Sequence, residues 1–164
     1  MLGYVMAPLR GDADLLISAV AARLQALGWP LAGAVQQNRG DDPALCTMEL
    51  VVLQAGHRIC ISQQLGTGSR GCRLDSAALE QAVGLVEGAL HHSPRLLILN
   101  KFGKAESEGR GFRPLIGRAL GAGIPVLTGV NARNIEAFQD FAQGMGQALP
   151  PDKARILDWC HAQT

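Results

Sequence analysis

The stretch LLILNKFGKAESEGRGFR, at Leu96–Arg113, decides the fold class of this sequence. Its first four residues are apolar, follow Ser93-Pro94 and stop at Asn100-Lys101, which predicts a central strand buried on both faces. In an open α/β sheet, ligands bind outside the carboxyl ends of such strands. The polar residues that follow this strand therefore mark the first place to look for a site: Asn100, Lys101, Glu106, Glu108, Arg110 and Arg113.

Apolar runs and helical spacing on both sides of this stretch predict an alternation of strands and helices. The predicted strands are Gly3–Ala7, Leu31–Val35, Thr47–Leu53, His57–Ser62, Leu96–Leu99 and Ile124–Thr128. Helices are predicted at Ala13–Leu27, from Asp75 or Ser76 to His91, at Phe112–Ala122, after Asn134 and after Asp152. The two strands around Ala55-Gly56 have hairpin spacing. This order predicts an α/β fold, with a mostly parallel sheet, helices on both faces and an inserted hairpin.

Length and composition restrict the function classes. A chain of 164 residues predicts one domain, at residues 1–149, with residues 150–164 as a C-terminal helical extension of it. The formal net charge of +1 and the 4% aromatic content do not favour nucleic acid or a membrane as a partner. No apolar run approaches the ~20 residues that cross a bilayer, and no signal peptide is predicted.

The four cysteines form no C-x-x-C pair, so no metal site is predicted. Reduced thiols and the absence of a predicted targeting segment favour a cytoplasmic location. No catalytic residue can be named from a nucleophile motif, because the sequence has no G-x-S-x-G elbow.

The loop after the first predicted strand is where a phosphate-binding G-x-x-x-x-G-K-[ST] pattern would lie. Aligned on Ala7–Asp14, the pattern places Ala13 at the lysine and Asp14 at the serine or threonine, so its diagnostic residues are missing. A helix start capped by Asp12 explains the segment. A residual role for Arg10 and the loop amides in binding an anion is the alternative.

A second glycine-rich loop, GTGSRG at Gly66–Gly71, matches G-x-G-x-x-G between a strand and a helix. Exposed backbone N–H groups, a hydroxyl and two arginines beside a helix start are typical of anion binding. The candidate ligand-binding residues are Gly66, Gly68, Ser69, Arg70, Gly71 and Arg73. A flexible connection with solvated arginines is the alternative. Cys72 lies between the arginines, either as an activated thiol or as a small residue packed under the loop.

The loop after Leu99 is the third candidate. Nucleotide hydrolases have a carboxylate at the end of this strand, whereas this sequence has the neutral Asn100. Lys101 and Arg110 are candidates to close over an anion, and Glu106 or Glu108 could serve magnesium and water in place of the missing carboxylate. A solvated charged loop is the alternative.

With these loops in view, the chain resembles domain-of-unknown-function family 2478, a group of small bacterial proteins. The resemblance covers Gly3 to about Met145, and its most specific parts are GTGSRGCRLD, NKFGKAESEGRGFR and GIPVL. That family in turn resembles degenerate P-loop nucleoside triphosphatases of the thermophile type, which implies a three-layer P-loop NTPase-like fold without the hydrolase's lysine and serine or threonine. Members of the family are often encoded near molybdate-transport genes, so the resemblance suggests molybdate or a related oxyanion.

We therefore expect a non-hydrolytic anion-binding protein whose ligand is molybdate, tungstate or a nucleotide phosphate. The first alternative is a magnesium-dependent nucleoside triphosphatase or phosphotransferase that uses Glu106 or Glu108. The second is an accessory protein without a ligand, in which the C-terminal helix with Trp159 docks a partner or forms a homodimer.

Overall fold

The structure is a computed structural model that describes residues 1–7, 9, 11–39, 47–63 and 73–163. The strands are β1 (Leu2–Val5), β2 (Leu31–Arg39), β3 (Thr47–Val52), β4 (Arg58–Cys60), β5 (Ser62–Gln63), β6 (Arg73–Leu74), β7 (Leu96–Phe102), β8 (Val126–Val130) and β9 (Gly146–Leu149). The helices are α1 (Asp12–Ala26), α2 (Ser76–Leu90), α3 (Lys104–Ser107), α4 (Arg113–Gly121), α5 (Ile135–Ala142) and α6 (Lys153–Ala162).

In the described ranges, seven strands form one mixed sheet in the order β4-β3-β2-β7-β8-β1-β9. Every neighbouring pair from β2 to β9 is parallel, whereas β3 and β4 run antiparallel as a hairpin at one edge. Strands β5 and β6 form a separate small antiparallel pair. The predicted α/β fold, with a mostly parallel sheet and an inserted hairpin, is confirmed.

The central strand β7 divides the hydrophobic core into two clusters. Leu96 and Ile98 pack in one cluster with residues of α1 and α6, and Leu97 and Leu99 pack in the other with residues of α2, α4 and α5. This split follows from the two-residue period of a strand, which sends successive side chains to opposite faces. Burial on both faces explains the uninterrupted apolar run and confirms the three-layer arrangement.

The elements that the sequence did not predict are short or polar. Strand β7 continues beyond Leu99 to Phe102, so Asn100 and Lys101 lie in the strand instead of following it. Helix α3 and strand β9 were not predicted, because four residues are too few for a recognisable period. In the described ranges, no helix combines the length and the apolar character that crossing a membrane requires.

Trp159 is part of the hydrophobic core. It is 7% exposed, and a Cβ atom on Gly3 would lie 2.8 Å from its ring. Its indole N–H donates to Oε1 of Gln147 in β9, at 2.8 Å. In this way α6 covers the start of β1, while docking of a partner or a second copy by the C-terminal helix stays a prediction.

Candidate functional site

Asn100 connects three elements at the carboxyl end of the parallel strands. It is 4% exposed, and its Oδ1 accepts the backbone N–H of Gln36 in β2 at 2.9 Å. Because a backbone N–H can only donate, this contact turns Nδ2 of Asn100 away from Gln36. Nδ2 donates to Oδ1 of Asp14 in the first turn of α1, at 2.7 Å. The neutral amide therefore fits its site because it accepts on one side and donates on the other.

Lys101 closes the same group of side chains from the solvent side. Its Nζ donates to Oε1 of Gln36 at 2.9 Å and lies 3.8 Å from Oδ2 of Asp14. The Lys101 side chain is 43% exposed, so the ammonium group lies at the surface of the site. We call Asp14, Gln36, Asn100 and Lys101 the rim network.

The backbone around the rim network allows this close approach. Gly129 in β8 has no side chain where a Cβ atom would lie 2.7 Å from the carbonyl oxygen of Asn100. Helix α1 begins at Asp12 after Gly11, which has φ 94° and provides no side-chain cap, so the capping predicted for Asp12 is wrong by one residue. At φ 94° a residue with a side chain would be strained, which is why glycine takes the cap position.

Arg110 lies in the turn between α3 and α4 and is ion-paired. Its guanidinium donates to Oε2 of Glu108, and Nζ of Lys104 lies 3.7 Å from Oε1 of the same carboxylate. The hydrogen bond from Arg110, helped by the charge of Lys104, lowers the pKa of Glu108. All three side chains are exposed, so solvent screens this cluster and its partners can exchange.

Glu106 is built into the backbone of the same turn. It is 5% exposed, its Oε2 accepts the N–H of Gly103 at 2.9 Å, and its Oε1 accepts the N–H of Phe112 at 3.0 Å. Gly111, at φ 59°, keeps this pocket open, because a Cβ atom there would overlap Oε1 of Glu106. The carboxylate thus joins the end of β7 to the start of α4, a role that sequence reasoning missed.

The comparisons with known proteins agree with this architecture. The family model described as "Protein of unknown function (DUF2478)" matches residues 2–159. The chain belongs to the DUF2478 family. Its fold matches that of a P-loop nucleoside triphosphatase, THEP1 from the hyperthermophile Aquifex aeolicus, with a TM-score of 0.70 and 12% identity. That match covers 96% of this chain and 95% of the other.

The DUF2478 chain is also 37% identical over 149 residues to "Molybdenum import ATP-binding protein ModC 2" from Bradyrhizobium diazoefficiens. The aligned part is 90% of this chain but only 17% of that relative. The chain therefore spans less than a fifth of the length of the relative it matches.

Several predicted ligand-binding residues lie outside the described residues. These are Arg10, Gly66, Gly68, Ser69, Arg70, Gly71 and Cys72. Arg73 lies in β6, whose backbone pairs with Gln63 of β5. The meeting of these residues with Lys101 and Arg110 stays a prediction.

The described residues on either side of residues 64–72 lie close to the carboxyl end of β2. The N–H of Ile61, just before β5, donates to the carbonyl of Met48 at 2.8 Å. The N–H of Met48 donates in turn to the hydroxyl of Ser62, at 3.2 Å. Met48 pairs with Asn38 near the carboxyl end of β2. Both flanks, Gln63 and Arg73, therefore lie at the same edge of the sheet as the rim network.

The sequence pointed to Asn100 and Lys101 but missed two partners. Gln36 ends the apolar run of β2 as Asn100 ends that of β7, and this polar residue at a strand end was the available signal. The sequence placed Asp14 at the position of the serine or threonine, but it did not predict that Asp14 accepts a hydrogen bond from Asn100. In the described part of the chain, no group of three or more His, Cys, Asp or Glu side chains could hold a metal ion.

Proposed function

We propose that this protein binds a small oxyanion, molybdate or tungstate, or the phosphate of a nucleotide, and does not hydrolyse it. The hydrogen bond between Asp14 and Asn100 carries the proposal. A P-loop hydrolase uses a lysine and a serine or threonine at the helix start, together with an aspartate at the strand end. Here Ala13, Asp14 and Asn100 stand at those positions, so the chain lacks the groups that activate a triphosphate.

Two exposed cations at the carboxyl edge support binding of an anion, which would take the place of the carboxylate that each of them faces. The ammonium of Lys101 is partly exposed there, and the exposed Arg110 lies on the turn that follows β7. Gln63 and Arg73, the described residues that flank the predicted arginine-bearing loop, lie at this edge. Charge-assisted hydrogen bonds contribute about 1.5–3 kcal/mol each, so three or four of them could give micromolar affinity after the cost of association.

The name of the 37%-identical relative, a molybdenum import protein, favours molybdate among the oxyanions. Molybdate and tungstate are tetrahedral dianions, and they offer the same acceptor oxygens as a phosphate group. Glycine amides and arginines recognise this shared chemistry. We therefore treat molybdate as the first ligand to test and nucleotide phosphate as the second.

Calorimetric titration of molybdate, tungstate, phosphate and ATP tests the proposal. We expect the wild type to bind at least one of them and Arg70→Ala/Arg73→Ala to lose that binding. Arg118→Ala is the matched control. Arg118 lies in the last turn of α4, away from the carboxyl edge, and pairs with Glu87 of α2. If no anion produces heat with the wild type, anion binding is wrong.

Hydrolysis is tested separately with magnesium and ATP or GTP. We expect phosphate release equal to that in buffer, because both oxygens of Glu106 already accept backbone N–H groups. Release above buffer that Glu106→Gln or Glu108→Gln abolishes, while the variants stay folded by circular dichroism, would favour the triphosphatase alternative.

A further inference from the structure

The rim network occupies the place where this scaffold would hold a magnesium ion. In P-loop hydrolases the serine or threonine hydroxyl and the strand-end aspartate hold Mg2+. Magnesium needs oxygen ligands at about 2.0–2.1 Å in near-octahedral geometry. The residues at the two positions, Asp14 and Asn100, bind each other instead, and Asn100 turns its Nδ2 donor toward the carboxylate. An amide N–H2 group cannot coordinate a metal, so Asn100 does not supply the second of the two magnesium ligands.

The remaining oxygens of the network face an ammonium group. Nζ of Lys101 lies 2.9 Å from Oε1 of Gln36 and 3.8 Å from Oδ2 of Asp14. A divalent cation placed between these oxygens would meet Lys101 at short range, where like charges repel. The donor set therefore does not fit magnesium.

We propose that Lys101 is a tethered cation that replaces the divalent metal of this scaffold. The site therefore selects a metal-free oxyanion over a magnesium–nucleotide complex. One ammonium balances one carboxylate, so the network is locally neutral without a metal. A nucleotide that arrives with Mg2+ would bring the ion against Lys101, whereas a free dianion would not. The choice of ligand rests on the proposed function, but the replacement of the metal rests on the contacts that Asp14, Gln36 and Asn100 make with one another and with Lys101.

Restoring the metal tests the replacement directly. Asn100→Asp/Lys101→Met restores a strand-end carboxylate beside Asp14 and removes the ammonium. We expect this variant to bind Mn2+ in electron paramagnetic resonance titrations about tenfold or more tightly than the control. Mg2+ should also raise its melting temperature. Wild type and Asn100→Asp should show neither effect, because Lys101 remains in place.

The matched control is Asn100→Asp/Lys104→Met, which has the same change in charge and removes a lysine that is 86% exposed on the neighbouring turn. If this control or the wild type binds Mn2+ as tightly as Asn100→Asp/Lys101→Met, the inference is wrong. If the double variant does not fold, Lys101→Glu replaces it, with Lys104→Glu as its control. The absence of any gain in metal binding in the folded Lys101 variant also overturns the inference.

A second experiment tests the ligand class. We expect molybdate to bind equally in EDTA and in Mg2+, and Mg2+ to weaken the binding of ATP. Lys101→Met should weaken molybdate binding about 10- to 100-fold, the loss of one charge-assisted contact, whereas Lys104→Met should leave it unchanged. Tighter binding of magnesium–ATP than of molybdate would overturn the selectivity. If no anion binds, the proposed function fails, and the Mn2+ titration still decides the role of Lys101.

Discussion

Two carboxylates at the same edge of the sheet, Glu106 and Asp14, have opposite kinds of partner. Glu106 is buried, and both of its oxygens accept backbone N–H groups. Asp14 is half-buried, and its oxygens face the side chains of Asn100 and Lys101. Backbone partners cannot leave without unfolding the turn, whereas side chains can change rotamer. A ligand can therefore exchange with the partners of Asp14 but not with those of Glu106.

The largest effect should come from Glu106→Ala. Two buried backbone N–H groups, those of Gly103 and Phe112, would lose their acceptors. We expect the free energy of unfolding to fall by about 2–5 kcal/mol, measured by urea denaturation. A second measurement is the alkylation of Cys160, located by mass spectrometry. Burial raises the pKa of the Cys160 thiol to about 12, so alkylation should be slow in wild type. It should be faster in Glu106→Ala, because a less stable protein exposes the thiol more often.

Glu108→Ala is the control for this prediction, because it removes an exposed carboxylate two residues away. We expect at most a small change in its unfolding midpoint, well below that of Glu106→Ala, because solvent screens the exposed pair that Glu108 makes with Arg110. If Glu106→Ala also unfolds at the wild-type midpoint, Glu106 is not structural, and the contrast with Asp14 fails.

A smaller effect is expected for Asn100→Leu, which keeps the size of the side chain. The backbone N–H of Gln36 loses its acceptor and Asp14 loses a donor, but solvent and Lys101 still reach the carboxylate. We expect a loss of about 1–3 kcal/mol in the free energy of unfolding. Asn134→Ala is the comparison, because Asn134 makes no side-chain cap hydrogen bond at the start of α5. Equal midpoints for the two variants would contradict the role of Asn100.

The difference between the two carboxylates also shows what sequence can predict. Strand β7 and the hairpin were predictable because burial leaves apolar runs and period-two patterns in the sequence. The polar end of β7 was also predictable, because the apolar run of this strand stops at Asn100. The partners of Asn100 were not, because they lie 64 and 86 residues away along the chain and no local pattern connects them.

The role of Glu106 was not predictable either, because its partners are backbone N–H groups that every residue except proline carries. In the sequence, Glu106 and Glu108 lie in the same charged stretch, and nothing there distinguishes the role of one from that of the other. Only the turn formed by α3 separates the buried Glu106 from the exposed Glu108. The sequence therefore pointed to Asn100, Lys101 and the two acidic residues, while the division of these residues into structural and exchangeable groups required coordinates.

Asp14→Asn should change binding more than stability. The substitution removes the negative charge that faces Lys101, so the ammonium becomes available to an anion. We expect molybdate affinity to rise several-fold in calorimetry, with the free energy of unfolding changed by less than about 1 kcal/mol. Asp12→Asn, in the same helical turn but exposed, should have a smaller effect on affinity. Weaker molybdate binding by Asp14→Asn would show that the carboxylate belongs to the ligand site.

The smallest effect is expected for Glu108→Gln and depends on pH. The hydrogen bond from Arg110 lowers the pKa of Glu108 in the folded protein, so its stabilising effect is present above the pKa of an unfolded-chain glutamate. That effect is lost as the pH falls through the lower folded value. The melting temperatures of wild type and variant should therefore differ slightly at neutral pH and converge in acid. High salt should shrink the neutral-pH difference, because both partners are exposed. A difference that persists in acid would mean that Glu108, like Glu106, acts through contacts that do not depend on its charge.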